Sequence, residues 1–329
     1  VAKRATPRRK VGHTCEDLWE LWASPGNPAE ASPRWTKLAP VTRRDYKSKV
    51  GVFIEEFGDI HVGALAKADL YSWWEDLVRD RGHTMANSTL SAVRSMLSYA
   101  VMKGWRTDNP AKSLGLEKVP PRVVVWTPEE IAAIVAKADE LKHFGVADAV
   151  IIALHTGQRQ GDCLQFEWVS TENGRAKFRQ GKTGARVSVP FSPPLQERIE
   201  AIKTRRRSGP VAELQLAGKL VRDKRGKDYS RETFGRDFRE VRSAVAKDQV
   251  EAGAKEASVA GKQFLDLRDT AITRLALAGC TVPEIRAITG HSLETIHKVL
   301  AHYLALDDRM ADAAIARLKV WMEEEGIAI

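Results

Sequence analysis

The chain has 329 residues, 43% of them hydrophobic, and carries 52 Lys and Arg against 43 Asp and Glu, a net charge of +9. That length exceeds one ordinary compact domain, so two are expected, and no run of about 18 apolar residues offers a membrane span. Three scattered cysteines (Cys15, Cys163, Cys280) lack CxxC spacing and an even number, which argues against a disulfide framework or a zinc finger and for free thiols in a reducing compartment.

The basic surplus suits a polyanionic partner, because neutralising phosphates releases counterions. Many basic proteins nevertheless bind no nucleic acid, so charge alone leaves both readings open. The chain opens on Val1 with no charged-then-apolar leader, which leads us to expect numbering that starts inside a longer product or after a removed segment.

In chain order, residues 1–12 (VAKRATPRRKVG) are a basic start, either an arm on DNA or a solvated tail. Trp19, Leu21 and Trp22 suggest a short helix, and ASPGNPAEASP at 23–33 reads as a linker. Residues 1–33 are therefore taken as a basic segment plus linker. Residues 34–115 read as an all-helical unit. A first helix carries Tyr46, Val50, Phe53, Ile54 and Phe57 and ends at Gly58. A second carries Leu70, Trp74 and Leu77. A third starts at an Asn87 or Ser88 cap, carries Leu90, Val93, Leu97 and Val101, and stops at Gly104. Trp73 and Trp105 are expected in the core.

A second linker, LEKVPPRVVVW at 116–126, precedes Thr127-Pro128-Glu129-Glu130. Thr127 and Glu130 have capping-box spacing, with Pro128 at the first helical position. The second domain, 127–329, is expected to be mostly helical, interrupted by a β-hairpin in which RAKFRQ and ARVSVPF flank GKTG. Helices are expected to resume near Thr233. The fold class is thus mainly α with a small β-sheet.

Several residues in this second domain have the chemistry to handle phosphate. In LHTGQRQGDCLQFEW, Arg159 follows Thr156-Gly157 where a helix restarts, so its fork can address an anion beside helical amides. Asp162 lies three residues on, and a plain surface ion pair is the competing reading. In GKTGAR, Lys182 at a glycine-flanked turn suits a positioned general acid or a solvated turn lysine. The fragment is not a Walker loop, since Ala176 stands where that pattern needs a glycine. Arg268 opens a helix bearing Ile272, Leu275 and Ala276. Thr281 and Glu284 form a further capping box before Gly290 and His291. The histidines at 291, 297 and 302 do not share a helical face, so no metal site is expected.

These pieces together resemble a family. TGQRQGDCL, GKTGARVSVP, DLRDTAITRLALAG, ITGHS and AHYL stand in this order, and from about 34 to 310 the chain is similar to tyrosine recombinases of the phage-integrase type, with a lambda-integrase-like catalytic domain. The resemblance implies a helical core-binding domain at 34–115 and a catalytic domain at 127–329 forming a C-shaped clamp on DNA, hinged at 116–126. It implies that Arg159 and Arg268 grip the scissile phosphate and that Lys182 protonates the departing 5′-oxygen. His291 would bind phosphate, and Tyr303 would attack phosphorus to give a 3′-phosphotyrosine. Asp162 matches the acidic position that supports the first arginine. One departure is Leu265, where the family commonly has a histidine three residues before the second arginine. A leucine transfers no proton, while only about one free tyrosine in a thousand is ionised at pH 7, so Asp266 or Lys262 is a candidate substitute.

The function so implied is site-specific recombination for a phage or other mobile element, independent of metal, ATP or any cofactor. The expected partners are a double-stranded DNA attachment site, a homo-tetramer formed on it, and accessory DNA-bending or directionality proteins, with no membrane. The expected location is the cytoplasm of a bacterial host, on its nucleoid. Alternatives are a type IB topoisomerase-like nicking-closing enzyme and a sequence-specific DNA-binding protein with weakened catalysis. KTRRR (203–207) and VRDKRGK (221–227) are either phosphate contacts or solvated loops. After Tyr303, the apolar residues Met310, Ala314, Leu318 and Trp321 share helical spacing. That helix packs either on its own domain or on a neighbouring protomer.

Overall fold

The computed structural model describes residues 13–117, 119–120, 122, 124–207, 217–303 and 308–325. The basic start at 1–12 lies outside them. The chain divides between positions 121 and 122 into two compact units. Among the described residues no helix is long and apolar enough to cross a membrane.

The first unit contains helices α1 (Cys15–Ala23), α2 (Pro33–Thr36), α3 (Pro40–Phe57) and α4 (Lys67–Met102). Thr14 and Asp17 close a capping box that starts α1, and backbone bonds from Cys15 N–H to Ile60 O and from Val62 N–H to His13 O tie its entry to the loop after α3. Trp19, Trp22 and Trp35 meet edge to face with centroids 5.0–6.1 Å apart, a favoured arrangement for aromatic pairs. α1 therefore belongs to this core, and the stretch at 23–33 is not a linker ahead of it. The Pro/Gly/Ser-rich stretch is an internal loop that returns the chain from α1 to α2, with the Ser32 hydroxyl donating to Trp22 O at 2.8 Å.

The expected helix break near Asn87 also shifts. α4 bends at Gly82, whose φ of 78° and ψ of 159° are non-helical, and the helix resumes directly after it. Asn87 lies within that second arm. Its Oδ1 accepts from Trp74 Nε1 at 2.8 Å, joining the two arms, and Ser88 Oγ accepts from Lys49 Nζ at 2.6 Å. Trp73 is buried and Trp105 half-buried, the latter stacked on His13 at 3.8 Å.

The second unit starts with its entry strap fastened down. Arg122 donates to both carboxylate oxygens of buried Asp266 at 2.7 and 2.8 Å, and the buried Trp126 indole donates to Gln263 O at 3.1 Å. The later half of the stretch read as a hinge is thus anchored to this unit. Helices α5 (Pro128–Glu140), α6 (Phe144–Thr156) and α7 (Gln160–Leu164) follow, then strands β1 (Arg175–Arg179) and β2 (Arg186–Pro190). Thr127 and Glu130 make the expected capping box on α5. α6 is apolar on nearly every side, hence central: it packs against α5, against α8 (Pro193–Arg207) and against α10 (Asp266–Leu277). Around it Trp126, Phe234, Phe238 and Phe264 form an aromatic cluster.

The hairpin is antiparallel, pairing Ala176 with Val189 and Phe178 with Val187. Period-2 alternation turns Ala176 and Phe178 inward and leaves Arg175, Lys177 and Arg179 outside. α8 is a correction, because helices resume well before Thr233. Leu195, Ile199 and Ile202 recur at i, i+4 and i+7 and are buried, and the paired prolines sit where a first turn tolerates them. α9 (Arg231–Glu251) starts at a Ser230 cap. α11 (Val282–Thr289) and α12 (Leu293–Tyr303) join α10 in a small separate core of Ile272, Ala276, Ile285 and Ile296. α13 (Asp308–Glu324) ends the described chain, with Ile315 65% and Trp321 50% exposed.

Three cations of the two basic stretches are engaged inside this unit, while Lys224, Arg225 and Lys227 are exposed. Arg205 donates to both oxygens of buried Asp148 at 2.7 Å. Arg206 donates to Lys219 O at 2.7 Å and stacks over Trp168. Arg222 donates to Ala217 O at 2.8 Å.

Candidate active site

Three turns converge at the end of α6. The first ends α6 at Gly157, in the left-handed region, and turns extended at Arg159, the N-cap of α7. The second is the β1–β2 turn. The third is Thr289-Gly290-His291 at the end of α11, where Gly290 has φ 66°.

Arg268, on the first turn of α10, is only 7% exposed. Its Nε–H donates to His291 Nε2 at 2.7 Å, its Nη2 to Thr289 O at 3.1 Å and its Nη1 to Gly157 O. A guanidinium has five N–H donors. Three are so engaged by described residues, which leaves two for an anion. Burial, then the Arg159 charge, lowers its proton affinity to about 9, yet the delocalised cation persists at neutral pH.

The His291 tautomer follows from its partners. Nε2 accepts from Arg268, so Nδ1 carries the proton and donates to Thr289 Oγ1 at 2.9 Å. That hydroxyl passes its own hydrogen to Ile285 O at 2.8 Å. Burial, then the Arg268 and Arg159 charges, hold the imidazole down at about 3, so it is neutral at physiological pH.

Arg159 Nη1 donates to Gln180 Oε1 at 3.0 Å and stands 4.0 Å from Asp162 Oδ2. Asp162 does more than pair with a surface arginine: its Oδ1 accepts the Gly181 N–H at 2.8 Å, fastening the hairpin turn beside α7. Lys182 follows directly, exposed on that turn. Arg159, Asp162, Arg268 and His291, with the backbone that carries Lys182, are thereby gathered in one place.

Tyr303 is the last residue of α12, which packs on α10 and α11. Its side chain and that of His302 lie outside the described residues, as does Leu304 of AHYL. His297 is exposed on α12.

Leu265 caps α10 and is 54% exposed. The two residues considered as its substitutes are committed elsewhere. Asp266 is held by Arg122 and by the Gln263 N–H at 2.7 Å. Lys262 is bonded to Glu130 and to Val125 O and lies over Trp126. Among the described residues no three His, Cys, Asp or Glu side chains group as a metal site.

Two residues escaped sequence reasoning. Gln180 and Gln158 are 1% and 0% exposed. Gln180 Nε2 donates to Gln158 Oε1 at 2.7 Å and to Thr289 O at 2.8 Å, while its Oε1 also accepts from Thr183 Oγ1 at 2.8 Å. The available signal was the strand period: Ala176 and Phe178 point inward, and the next alternate position is Gln180.

Comparison with known proteins agrees with this architecture. A lambda integrase dimer bound to a COC′ core site superposes with a TM-score of 0.65 at 19% identity, covering 79% of this chain and 91% of that one. The Tn1549 transposon integrase in complex with circular intermediate DNA gives a TM-score of 0.67 at 18% identity, covering 92% and 99%. A lambda integrase tetramer bound to a Holliday junction gives 0.64 at 19%, covering 78% and 73%. At these identities the likeness is one of fold, which the chain shares with these integrases.

The integrase of Escherichia phage HK022 is 24% identical over 155 residues, which are 47% of this chain and 43% of that relative's length. The family model described as "Phage integrase family" matches residues 125–310, more than half of the chain. The chain belongs to the phage integrase family.

Proposed function

We propose that this protein is a site-specific DNA recombinase that cuts and rejoins strands through a covalent 3′-phosphotyrosine at Tyr303, for the movement of a phage or other mobile element. The observation that carries this reading is the convergence of Arg159, Arg268 and His291 on one pair of turns, with the Lys182 hairpin tethered to them by Asp162. Phosphoryl transfer gathers negative charge on the oxygens around phosphorus, and fixed cationic donors stabilise it best, each by roughly 3–4 kcal/mol by analogy with oxyanion donors. Arg159 and the two remaining N–H groups of Arg268 serve the non-bridging oxygens. Neutral His291 aligns Arg268, and its Nε2–H becomes a phosphate donor only once Arg268 lets go and the ring changes tautomer. Lys182 protonates the leaving 5′-oxygen. The phosphotyrosine conserves the energy of the cut bond, so resealing needs neither ATP nor a metal.

DNA contact is supported by the outer face of the hairpin. Arg175, Lys177 and Arg179 on β1 and Arg186 on β2 lie on that exposed face with no acidic residue in either strand. Such a face positions a duplex through its phosphates without reading sequence. The first unit serves as the core-binding domain. α13, with Ile315, Leu318, Val320 and Trp321 exposed, fits packing on a second protomer better than on its own unit. The assembly is a homo-tetramer on DNA in a bacterial host, joined by accessory bending or directionality proteins.

The test is covalent capture. A pool of nicked duplexes of random sequence is incubated with the protein, and adducts that survive denaturation are sequenced. Wild type forms them and Tyr303→Phe does not. Duplex binding without an adduct from either protein replaces this reading with the binding-only one, to which Leu265 and the engaged Asp266 and Lys262 would then belong.

A further inference from the structure

We propose that Gln180, braced by Gln158, is a positioning residue that aims Arg159 at the scissile phosphate. The inference rests on the reading of Arg159 as a phosphate ligand given above. It concerns a residue that does not itself reach the substrate.

The amide of Gln180 has two donors and an acceptor oxygen with two lone pairs, and all four are used. Its N–H groups reach Gln158 Oε1 and Thr289 O at 2.7 and 2.8 Å. Its oxygen accepts from Arg159 Nη1 and Thr183 Oγ1 at 3.0 and 2.8 Å. Gln158 completes the set by donating to Thr156 O at 2.8 Å and Ile288 O at 3.2 Å. One amide therefore touches the Arg159 turn, the Lys182 turn and the His291 turn together. A fully satisfied buried polar network of this kind fixes a unique arrangement, which apolar side chains of similar volume would not.

The choice of an amide has electrostatic content. A neutral oxygen orients the Arg159 guanidinium without adding a second negative charge to that of Asp162. A carboxylate in the same place would form a full ion pair with Arg159 and would face Thr289 O and Gln158 Oε1 without a proton to give. Asp162 Oδ2 stands back at 4.0 Å, beyond hydrogen-bond reach of that guanidinium. Orientation and charge neutralisation are thus assigned to different residues.

The experiment is a double-mutant cycle on single-turnover adduct formation, using the nicked duplex that the wild-type protein selects. The proteins are wild type, Arg159→Ala, Gln180→Met, Gln180→Glu and the double variant Arg159→Ala with Gln180→Met. Misaiming a reacting group by about 1 Å costs on the order of 100-fold, so Gln180→Met slows adduct formation by about that factor while duplex affinity is retained. Gln180→Glu slows it at least as much. The double variant is no slower than Arg159→Ala alone, because the amide acts through that arginine; a merely structural loss would add to the arginine's.

If Gln180→Met cleaves at the wild-type rate, or the two losses add, the proposal is overturned. If Arg159→Ala itself cleaves normally, the reading of the site fails instead. Should Gln180→Met not fold, as judged by its melting curve, Gln180→Asn retains the polarity with a shorter reach. It is expected to fold and to show the same non-additive loss, and wild-type cleavage by Gln180→Asn would sink the aiming role equally.

Discussion

Arg268 and His291 are joined by a 2.7 Å hydrogen bond from the guanidinium Nε–H to the imidazole Nε2. The bond exists only while the ring is neutral. Unfolded, this histidine takes up a proton near its ordinary 6.5; folded, it resists until about 3. The unfolded state thus binds more protons within that window, so acidification from 6.5 towards 3 favours unfolding, and above 6.5 the contribution is constant. Melting curves of wild type and His291→Asn across this range should converge as pH falls, because the variant lacks the penalty. Parallel curves would place His291 among ordinary histidines.

Leu265 stands one helical turn before Arg268 and is largely exposed, with Asp266 and Lys262 both engaged elsewhere. Leu265→His should leave stability within about 0.5 kcal/mol, as for other surface changes. If proton removal from Tyr303 limits cleavage, it should raise the rate by about 100-fold, the low end for a positioned base. The measurement is adduct formation against time at fixed duplex concentration, and an unchanged rate would mean that the two arginines already suffice.

Gly290 has φ 66°, and a Cβ there would lie 2.6 Å from Gln180 Nε2. Gly290→Ala combines left-handed strain with displacement of that amide, for a loss of roughly 2–3 kcal/mol. Gly184, at the hairpin tip, has φ 71° but open space around it, so Gly184→Ala should cost only the strain, about 1 kcal/mol. Denaturant midpoints for the pair separate the two contributions, and equal losses would contradict the crowding argument.

The exposed hairpin cations give a salt-dependence test. Lys177→Ala and Arg179→Ala should each weaken binding to any duplex and lower the slope of log affinity against log salt by about 1. A change confined to one sequence would move these side chains from phosphate contact to base reading.

Legibility in the sequence followed how locally each feature is determined. Capping boxes at Thr127 and Thr281, the hairpin and the helical stripes were readable because short-range spacing decides them. The meeting of Arg159, Arg268 and His291 is legible only through resemblance, since no local rule brings Arg268 against Gly157, 111 positions earlier. Composition does not reveal α8 or the loop at 23–33: an amphipathic stripe behind paired prolines forms a helix, and a Pro/Gly/Ser-rich stretch whose flanks carry the buried Trp22 and Trp35 is an internal loop. Gln158 and Gln180 stand beside glycines, where a glutamine reads as surface, and only burial reveals their place in the site.

That amide pair has an evolutionary corollary. Each glutamine's value is conditional on the other and on the backbone of a third, distant turn, so substitutions there should be strongly epistatic. A lineage that loses one partner is exposed to selection at the second, and the two positions should change in concert. Grafting either motif alone into a relative with a different partner would transplant the letters without the geometry.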